Sequence, residues 1–441
     1  MTNKSYSSIL ARPSSLYIGI DLGTSGCRAI AINAAGEIKA HSNLHYLEHN
    51  LSANKPADWW QATQTVLKDI ISQVALQHIQ AISIDGTSGT VLLCDDDGEP
   101  LTPALMYNDA RAKPQASFLK QHAPKDSVVL SASSGLAKVL WLLEHYPLEN
   151  KFHIVHQADW VAAMLSQRFD VTDINNALKT GFDPVNKIWP LWLKDLLEDV
   201  NIDTACLPKV QQPGTVIKTI HPVIANELKL PLDVDIVSGT TDSTAAFIAS
   251  GAHNVGDAVT SLGSTLVLKI ISDVPVNNAA QGIYSQPYGS HWLVGGASNS
   301  GGAVLRYYFS DKQMHELTNR INPDKPSGLN YYPLLEKGER FPVNDPELNP
   351  RIEPKVEDDA TFFQALLEGM AEIEHTGYTL LEQLGAPYPG SVKTTGGGSI
   401  NKVWSQIRQN KLGVPVVNST HNSAAYGSAL LAAKSYLANK Q

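Results

Sequence analysis

Two short turns with the same pattern limit the possible folds of this chain more than any other feature. The first turn, around Gly23, lies within "DLGTS", and the second, around Gly263, lies within "SLGST", 240 positions further on. Each turn joins two apolar runs of the kind that form strands, so each predicts a β-hairpin. The repeat predicts two domains built on one plan, although a chance match of five residues would produce the same pattern.

The order of strands and helices along the chain predicts an α/β fold. Apolar residues recur at helical spacing in residues 56–77, 134–147, 157–169 and 362–384. Runs typical of strands separate these stretches. Residues 310–359 are rich in Pro, Asp and Glu and lack periodicity, which predicts an irregular surface segment.

Length and composition bear on the domain organisation. A chain of 441 residues favours two or three domains. We predict a flexible tail over residues 1–15, an N-terminal domain over 16–245 and a C-terminal domain over 246–441. Hydrophobic residues make up 43% and charged residues 17% of the chain, which is ordinary for a globular protein with large cores.

Charge and cysteine content exclude several classes of partner. The net charge is −9 and no block of Lys and Arg occurs, so nucleic acid and membrane surfaces are not expected partners. Cys27, Cys94 and Cys206 lie far apart, with no metal-binding spacing and no disulfide framework, which predicts a reducing, cytoplasmic location. The Ser-rich first 16 residues leave import into an organelle open as an alternative.

A carboxylate stands beside the first turn. Asp21 ends the first apolar run, and Gly23, Thr24 and Ser25 follow it. Backbone N–H groups of a tight glycine turn can surround an anion, and the two hydroxyls add donors. Asp21 would repel a bare phosphate, but Mg²⁺ binds few carboxylates together with phosphate oxygens. The pattern therefore predicts a metal–nucleotide site, with Asp21 holding Mg²⁺ partly through phosphate and water. An ordinary hairpin is the alternative.

Two further stretches predict the rest of a nucleotide site. The second turn contains hydroxyls but no carboxylate, so it could hold phosphates away from the metal. Three consecutive glycines from residue 396 would let a flat ligand lie on bare backbone, and the next helix offers an amide for base contacts and an indole as a wall. An ordinary hairpin and a flexible turn before a core helix are the alternatives. The candidate residues are Gly263, Ser264, Thr265, Gly396, Gly397, Gly398, Asn401 and Trp404.

Carboxylates and hydroxyls predict a polar pocket with a proton acceptor. Asp242 lies between a buried strand and an Ala-rich helix, where it could cap the helix or take a proton from an attacking hydroxyl. Asp85 and Ser88 follow another strand, at the sheet edge where α/β proteins bind ligands. The stretch "MYNDARA" adds three polar side chains, those of Asn108, Asp109 and Arg111. A salt-bridged turn is the alternative for this stretch.

In this order, the stretches resemble the FGGY carbohydrate kinases over nearly the whole chain. "DLGTSGCRA" and "SLGSTLVL" resemble the two phosphate motifs of that family, and "TTGGGSINKVWSQIRQNKLGVPV" resembles its adenosine segment. "AKVLWLLEH" resembles its Lys-x-x-Trp signature, and "GERFP" resembles one of its loops. The resemblance implies an α/β fold of two actin-like, ribonuclease H-like ATPase domains with an interdomain cleft.

The resemblance also implies roles for single residues, with ATP and Mg²⁺ as cofactors. Asp21 and Thr24 match catalytic positions of the first phosphate motif, and Asp242 matches the catalytic base. We therefore predict ATP binding by Gly23, Thr24, Ser25, Gly263, Ser264, Thr265, Gly397, Gly398, Asn401 and Trp404. We predict substrate binding by Asp21, Asp85, Ser88, Asp109 and Asp242.

The chain departs from the family pattern in ways that bear on the sugar. Gly135 stands where the Lys-x-x-Trp signature expects Pro, Ser or Thr, the later signature that names the family has no clear match, and the chain is short. These features resemble a compact subgroup of cyanobacterial and plant enzymes, D-ribulose kinases or putative xylulose kinases. The resemblance implies phosphorylation of a primary hydroxyl of a ketopentose, D-ribulose in the first place. D-xylulose or another sugar or polyol is the alternative.

Two alternatives belong to other classes. A non-catalytic actin-like ATP-binding protein would keep the turns but need no base, so Asp242 argues against it. The stretch "HYLEH", from His45 to His49, matches a zinc-protease pattern that requires a helix. In the extended segment predicted here, Glu48 would point away from both histidines, which argues against a zinc hydrolase.

Overall fold

A computed structural model describes residues 14–146, 148 and 151–438 of the chain. Of the predicted tail over residues 1–15, residues 1–13 therefore lie outside the described residues. The three cysteines are buried free thiols. Within the described part of the chain, no helix has the length and apolar character needed to cross a membrane.

The strands are β1 (Leu16–Leu22), β2 (Gly26–Asn33), β3 (Ile38–His45), β4 (Ile79–Gly86), β5 (Val91–Cys94), β6 (His153–His156), β7 (Val171–Asp173), β8 (Lys209–Gln211), β9 (Val216–Thr219), β10 (Asp235–Thr241), β11 (Asp257–Leu262), β12 (Leu266–Ser272), β13 (Tyr284–Tyr288), β14 (His291–Ser298), β15 (Ser391–Thr395) and β16 (Val416–Asn418). The α-helices are α1 (Pro56–Gln73), α2 (Lys113–Leu119), α3 (Gly135–His145), α4 (Gln157–Ser166), α5 (Ile174–Lys179), α6 (Leu191–Asp199), α7 (Pro222–Leu228), α8 (Asp242–Ala249), α9 (Gly302–Tyr308), α10 (Asp311–Thr318), α11 (Asp359–Gln383), α12 (Lys402–Leu412) and α13 (Ala424–Ala438). Short 3₁₀ helices occupy Leu47–His49, Leu76–His78, Val128–Leu130, Thr204–Cys206, Ala279–Gln281 and Gly397–Ile400.

The chain divides into two compact units. The first contains the described residues up to Ala249 and those from Ser423 onward, and the second contains Ser250–Asn422. The division after Ala249 lies close to the predicted one, but α13, which we predicted in the second domain, packs on β1, β4 and α8 of the first unit. Small residues permit this packing, since a Cβ atom at Gly19 of β1 would lie 1.9 Å from the carbonyl oxygen of Ala425. Helix α13 therefore lies directly on the backbone of β1.

The first unit is built on a six-stranded sheet in the order β3-β2-β1-β4-β10-β9. Strands β1, β2 and β3 are antiparallel neighbours, whereas β4 runs parallel to β1 and β10 runs parallel to β4. All seven residues of β1 are buried, as expected for a central strand covered on both faces. On one face Ile18 packs with Trp59 of α1 and Val161 of α4, and on the other Tyr17 packs with α13.

The second unit repeats this plan. Its sheet has the order β13-β14-β12-β11-β15-β16, in which β11 and β12 form an antiparallel hairpin and β15 runs parallel to β11. The neighbours β12-β11-β15 thus correspond to β2-β1-β4 of the first unit. Buried residues of α11 and α12, among them Phe363 and Ile407, form the core with this sheet. The predicted repeat of one plan in two α/β units is confirmed.

Residues 310–359 are more ordered than the sequence pattern indicated. Helix α10 begins there with a capping box, in which the Ser310 hydroxyl accepts from the Gln313 N–H and the Gln313 side chain caps Ser310 in return. The later part is irregular, but it contributes Tyr331 and Phe341 to the core of the second unit. The expectation of an irregular surface segment was wrong at these places, because a Ser-x-x-Gln start needs no long apolar period.

Candidate active site

Three aspartates lie at the carboxyl ends of three neighbouring parallel strands in the first unit. Asp21 and Asp85 are the penultimate residues of β1 and β4, and Asp242 directly follows β10. Asp21 and Asp85 are register partners, and Thr240 of β10 is the next partner of Asp85. Open α/β sheets bind ligands at the carboxyl ends of their parallel strands. The fold therefore brings three of the predicted site residues to one edge of the sheet.

Asp85 is an interior partner of Asp21. Its side chain is fully buried, and its Oδ2 accepts a hydrogen bond of 2.6 Å from the hydroxyl of Ser428 in α13. Burial and the neighbouring Asp21 carboxylate raise the pKa of Asp85 well above its usual range. Asp85 is the more deeply buried of the two carboxyl groups. The structure thus places the Asp85 side chain in the interior beside Asp21.

Asp21 joins this pair to the first turn. Its side chain is 10% exposed, and its Oδ2 accepts from Nη1 of Arg28 at 3.1 Å. Burial raises the pKa of Asp21, while the Arg28 charge opposes that rise. Nη2 of Arg28 lies 3.4 Å from the Ser25 hydroxyl. Arg28 therefore connects the turn and the carboxylate, and we missed it although it stands inside the quoted motif.

The first turn exposes its hydroxyls. The N–H of Gly23 donates to the carbonyl of Gly26 at 3.0 Å, which closes the turn, and Thr24 and Ser25 are exposed. Gly26 is required by packing, since a Cβ atom there would lie 2.0 Å from the carbonyl oxygen of Leu44 in β3. The predicted phosphate-binding residues of this turn therefore directly follow β1, separated from Asp21 by Leu22.

Asp242 is the first residue of α8 rather than the residue before it. Its Oδ1 accepts from the N–H of Ser243 at 2.6 Å, and the residue is half-buried. The hydroxyl of Thr241, which precedes the helix, lies 3.0 Å from that of Thr244 and so ties the residue before the helix to its first turn. Asp242 directly follows β10, the neighbour of β4, and its charge adds to the rise in the pKa of Asp85.

Ser88 lies in a tight turn that a buried glutamine supports. Ser88 is half-buried and follows Thr87, whose N–H and hydroxyl both donate to Oε1 of Gln157, at 2.9 and 2.7 Å. Gln157 is fully buried at the start of α4. Gln157 thus fixes the turn that presents Ser88. Sequence reasoning missed this glutamine because it is 70 positions away and carries no motif of its own.

Asp109 forms the salt-bridged turn that we named as an alternative. Its carboxylate pairs with Arg111 at 2.8 Å, and although burial would raise its pKa, the hydrogen bonds from Arg111 outweigh burial and lower it. Asn108 is exposed in the same segment. The signature lysine, Lys138, is fully buried and donates to the carbonyl of Met106 at 2.8 Å. Lys138 therefore holds the segment that carries Asp109.

Gly135, a departure from the family pattern, is explained by close packing. It is the first residue of α3, and a Cβ atom there would lie 2.9 Å from both the carbonyl oxygen of Lys179 and Cγ2 of Thr180. Such distances would force one of these neighbours to move. Helix α3 and the end of α5 can approach this closely because residue 135 has no side chain.

In the second unit, the predicted phosphate and adenosine stretches lie side by side. The second turn joins β11 to β12, with Ser264 exposed, and the N–H of Gly263 donates to the carbonyl of Thr265 at 3.2 Å. Gly396 follows β15 with a φ of +81°, and a Cβ atom there would lie 2.6 Å from the carbonyl oxygen of Leu262. Only glycine fits this approach, so the Gly-rich turn lies against the end of β11, next to the second turn.

Trp404 and Asn401 are engaged inside the second unit. The Trp404 side chain is 2% exposed and lies under the Gly-rich turn, where a Cβ atom at Gly398 would be 2.6 Å from its ring. The Asn401 side chain accepts from the Trp404 N–H at 3.0 Å, capping α12, and donates to the Thr318 hydroxyl at 3.0 Å. Both side chains therefore support the Gly-rich turn from the interior of the second unit. Gly397 is exposed, with open space around a hypothetical Cβ atom.

The "GERFP" loop supports the second turn indirectly, through the segment between β14 and α9. Glu339 is buried, and its carboxylate accepts from the N–H of Asn299 at 2.7 Å and from the hydroxyls of Ser298 and Tyr332 at 2.6 and 3.0 Å. Ser300 directly follows Asn299. Its backbone carbonyl accepts from the N–H of Leu266, which follows the second turn, at 2.8 Å. Glu339 therefore fixes the connection between β14 and α9 against that turn.

Comparison with solved structures defines the class of protein. The chain superimposes on a ligand-bound xylulose kinase from Lactobacillus acidophilus with a TM-score of 0.82 at 21% identity, covering 96% of this chain and 89% of that one. A glycerol kinase from Plasmodium falciparum with ADP gives a TM-score of 0.83 at 16% identity, covering 96% and 90%. At these identities the likeness establishes the fold, which is the two-domain α/β fold of carbohydrate kinases, of the actin-like ATPase type.

The family follows from sequence models of the two domains. Residues 16–249 match the N-terminal domain of the FGGY family of carbohydrate kinases, and residues 258–436 match its C-terminal domain. The chain therefore belongs to the FGGY family and is a carbohydrate kinase. The xylulose kinase of Staphylococcus epidermidis is 24% identical over 437 residues, covering 94% of this chain and 87% of that protein. The gluconokinase of Bacillus subtilis is 22% identical over 453 residues, covering 95% and 87%.

Family membership overturns both alternatives of other classes, the non-catalytic ATP-binding protein and the zinc hydrolase. The histidine pattern has a local structure of its own. His45 ends β3 and contacts the Asn43 side chain at 3.2 Å, while Leu47–His49 form a 3₁₀ turn. A zinc-protease pair of this type would need one continuous helix instead.

Proposed function

We propose that this carbohydrate kinase transfers the γ-phosphate of ATP to a primary hydroxyl of a ketopentose, D-ribulose, to give D-ribulose 5-phosphate and ADP. The observation that carries the proposal is the position of Asp242 at the carboxyl end of β10, beside the strands that bear Asp21 and Asp85, in a chain of the FGGY family. A carboxylate at this sheet edge can accept the proton of an attacking hydroxyl.

In the proposed reaction, the sugar hydroxyl oxygen attacks the γ-phosphorus in line while its proton passes to the Asp242 carboxylate. The new oxygen–phosphorus bond forms as the bond from the γ-phosphorus to the β–γ bridging oxygen breaks, and ADP leaves with that electron pair. The hydrogen bond from the Ser243 N–H would orient the Asp242 carboxylate. The donors of the two hairpin turns would stabilise the charge on the phosphate oxygens.

The donor set of the first turn fits Mg²⁺. This ion binds through one or two carboxylates together with phosphate oxygens and waters, rather than through a cage of protein ligands. Among the described residues no three His, Cys, Asp or Glu side chains are grouped as metal ligands, whereas Asp21 lies beside a turn with exposed hydroxyls. Asp21 would hold the ion, which when bound neutralises phosphate charge.

Each unit carries predicted ATP-binding residues. We propose that Gly23–Ser25 of the first unit and Gly263–Thr265 of the second bind phosphate, and that the turn with Gly397 and Gly398 binds adenosine. The support is that the second turn and the Gly-rich turn are packed together, while Gly397 remains exposed. Trp404 and Asn401 would act by holding the Gly-rich turn in shape.

The choice of sugar rests on two different supports. D-ribulose is favoured by the resemblance to the compact subgroup, and the half-buried Ser88 supplies a polar group that would be left unpaired by a substrate lacking hydroxyls, whereas Asp109 is already paired with Arg111. D-xylulose is the second candidate, because relatives that match along nearly the whole chain include xylulose kinases at 24% identity. Glycerol, with three carbons, should be a poor substrate.

An ADP-release assay under one set of conditions tests the proposal, with D-ribulose, D-xylulose, gluconate and glycerol as acceptors. We expect the highest kcat/KM for D-ribulose, a lower value for D-xylulose and the lowest for glycerol. A higher value for D-xylulose, gluconate or glycerol than for D-ribulose would overturn the choice of sugar. Absence of ADP release with every acceptor, in a protein that is folded by circular dichroism, would overturn the proposed reaction.

A further inference from the structure

Helix α9 is bound to the second hairpin turn through its backbone. The N–H of Gly302, its first residue, donates to the carbonyl of Gly263 at 2.9 Å. The residue before it, Gly301, has a φ of +147°, and a Cβ atom there would lie 2.7 Å from the carbonyl carbon of Thr265. The turn and the start of α9 therefore hold each other in one arrangement.

Arg306 of α9 reaches the same turn with its side chain. Its Nη2 donates to the hydroxyl of Ser264 at 2.9 Å, and its Nη1 would lie 3.2 Å from a Cβ atom at Gly302. The guanidinium thus lies against the beginning of α9, beside the turn. Arg306 and Ser264 are both exposed, and a guanidinium has five N–H donors, of which the Ser264 hydroxyl uses one.

The charge of Arg306 is not neutralised by a carboxylate within the described part of the chain. Its hydrogen-bond partner is a neutral hydroxyl. Other arginines form ion pairs with Asp or Glu, namely Arg28, Arg111, Arg168, Arg320 and Arg408. A planar guanidinium with donors to spare is the side chain best suited to bind two oxygens of one phosphate.

We propose that Arg306 is a phosphate-binding residue of the nucleotide site, and that its guanidinium binds a phosphate group of ATP beside Ser264. The inference rests on the proposed function, in which the second turn binds phosphates of ATP. It adds a cation to a turn whose sequence motif contains only glycine and hydroxyl residues, because Arg306 lies 42 positions after Ser264.

The competing explanation is that Arg306 only holds the Ser264 hydroxyl in place. The two explanations predict different binding patterns. A phosphate contact affects ATP and leaves adenosine unchanged, because adenosine has no phosphate. A purely structural contact disturbs the turn, and with it the neighbouring Gly-rich turn, so it affects both ligands, and Ser264→Ala reproduces the loss.

The test measures dissociation constants of ATP and adenosine by calorimetry for the wild type, Arg306→Gln, Arg306→Lys and Ser264→Ala. We expect Arg306→Gln to weaken ATP about 10–100-fold, as for loss of a hydrogen bond to a charged group, and to change adenosine less than about twofold. Arg306→Lys keeps the charge without the fork and should fall between. Ser264→Ala removes one proposed phosphate-binding hydroxyl but keeps the guanidinium, so it should weaken ATP less than Arg306→Gln does.

The matched control is Arg351→Gln. Arg351 is another exposed arginine of the second unit, and it donates to Asn330 instead of a hairpin turn, so ATP affinity should not change. Three results would overturn the role of Arg306 and leave the proposed function intact. They are an unchanged ATP affinity in Arg306→Gln, an equal loss of adenosine affinity in that variant, or a loss of ATP affinity in Ser264→Ala as large as in Arg306→Gln. A wild type that binds no ATP would overturn the proposed function and this inference with it.

Discussion

The two hairpin turns occupy equivalent places in two sheets of the same plan, but the side chains beneath them differ. In the first unit the register partners two positions before the turn glycine are Asp21 on β1 and Asp85 on β4. In the second unit the corresponding partners are Ser261 on β11 and Thr395 on β15. The same backbone therefore carries a pair of carboxyl groups in one unit and a pair of hydroxyls in the other.

The pair of carboxyl groups in the first unit indicates which unit would supply the metal ligand and the base. Burying two neighbouring carboxyls is costly, and their raised pKa values reflect that cost. In the second unit Arg408 donates to both oxygens of the buried Glu374 carboxylate, at 2.6 and 2.7 Å, whereas in the first unit Arg28 contacts one oxygen of Asp21. A costly carboxyl pair beside one turn and an arginine without a carboxylate beside the other support a division of labour. The first unit would add a metal and a base to its phosphate-binding turn, and the second would bind phosphate without either.

The sharpest test of this comparison removes the proposed base. Asp242→Asn should lower kcat about 10²–10⁴-fold, because the amide cannot accept the hydroxyl proton, while ATP affinity stays within a few-fold. Steady-state kinetics at saturating sugar and calorimetry with ATP measure both quantities. The control is Asp233→Asn, an exposed aspartate before β10. A kcat for Asp242→Asn within a few-fold of the wild type would show that Asp242 is not the catalytic base.

Converting the first turn to the chemistry of the second is the next largest change. Asp21→Ser should raise the Mg²⁺ concentration for half-maximal rate by at least the roughly 10–100-fold that loss of a supporting ligand contact costs. The KM for sugar should change less, because the metal interacts with phosphate. The rate is measured across a Mg²⁺ titration, with Ser261→Ala as the matched change in the second unit. An unchanged titration would show that the carboxylate has no metal role.

A pair of variants at Asp85 tests the interior hydrogen bond. Asp85→Asn keeps an acceptor for the Ser428 hydroxyl, so its free energy of unfolding should stay near that of the wild type. Asp85→Leu leaves the Ser428 hydroxyl unpaired and should lower that free energy by about 1–3 kcal/mol. Urea unfolding of the two variants measures the difference. Equal stability of both variants would contradict a stabilising hydrogen bond between Ser428 and Asp85.

The smallest effect is expected at the equivalent place in the second unit. Ser261→Ala removes a half-buried hydroxyl and should change the free energy of unfolding by no more than about 0.5–1.5 kcal/mol. The KM for ATP should stay within a few-fold, because the neighbouring turn keeps its hydroxyls. Urea unfolding and steady-state kinetics check both values. If Ser261→Ala changed the Mg²⁺ dependence of the rate as much as Asp21→Ser, the proposed difference between the two units would be wrong.

Much of the local structure was predictable because short-range pattern encodes it. The hairpins around Gly23 and Gly263 followed from apolar runs that flank a tight glycine turn, and helix α11 followed from its periodicity. The aspartates at the strand ends were predictable as candidates for the same reason. Helix α10 was missed, because its start depends on a two-residue capping box within a stretch that otherwise lacks a helical period.

The sequence alone was sufficient for the turns, their glycines and hydroxyls, and the repeat of one plan, because these depend on residues a few positions apart. Only the tertiary structure decided which polar groups are buried together. Asp85 is an interior partner of Asp21 because α13, whose Ser428 lies 343 positions later, packs on the first sheet. Gln157 supports the Ser88 turn, and Arg306 reaches the second turn, for the same reason. Burial and pairing are set by the packing of distant segments, which leaves no signal in a short stretch of sequence.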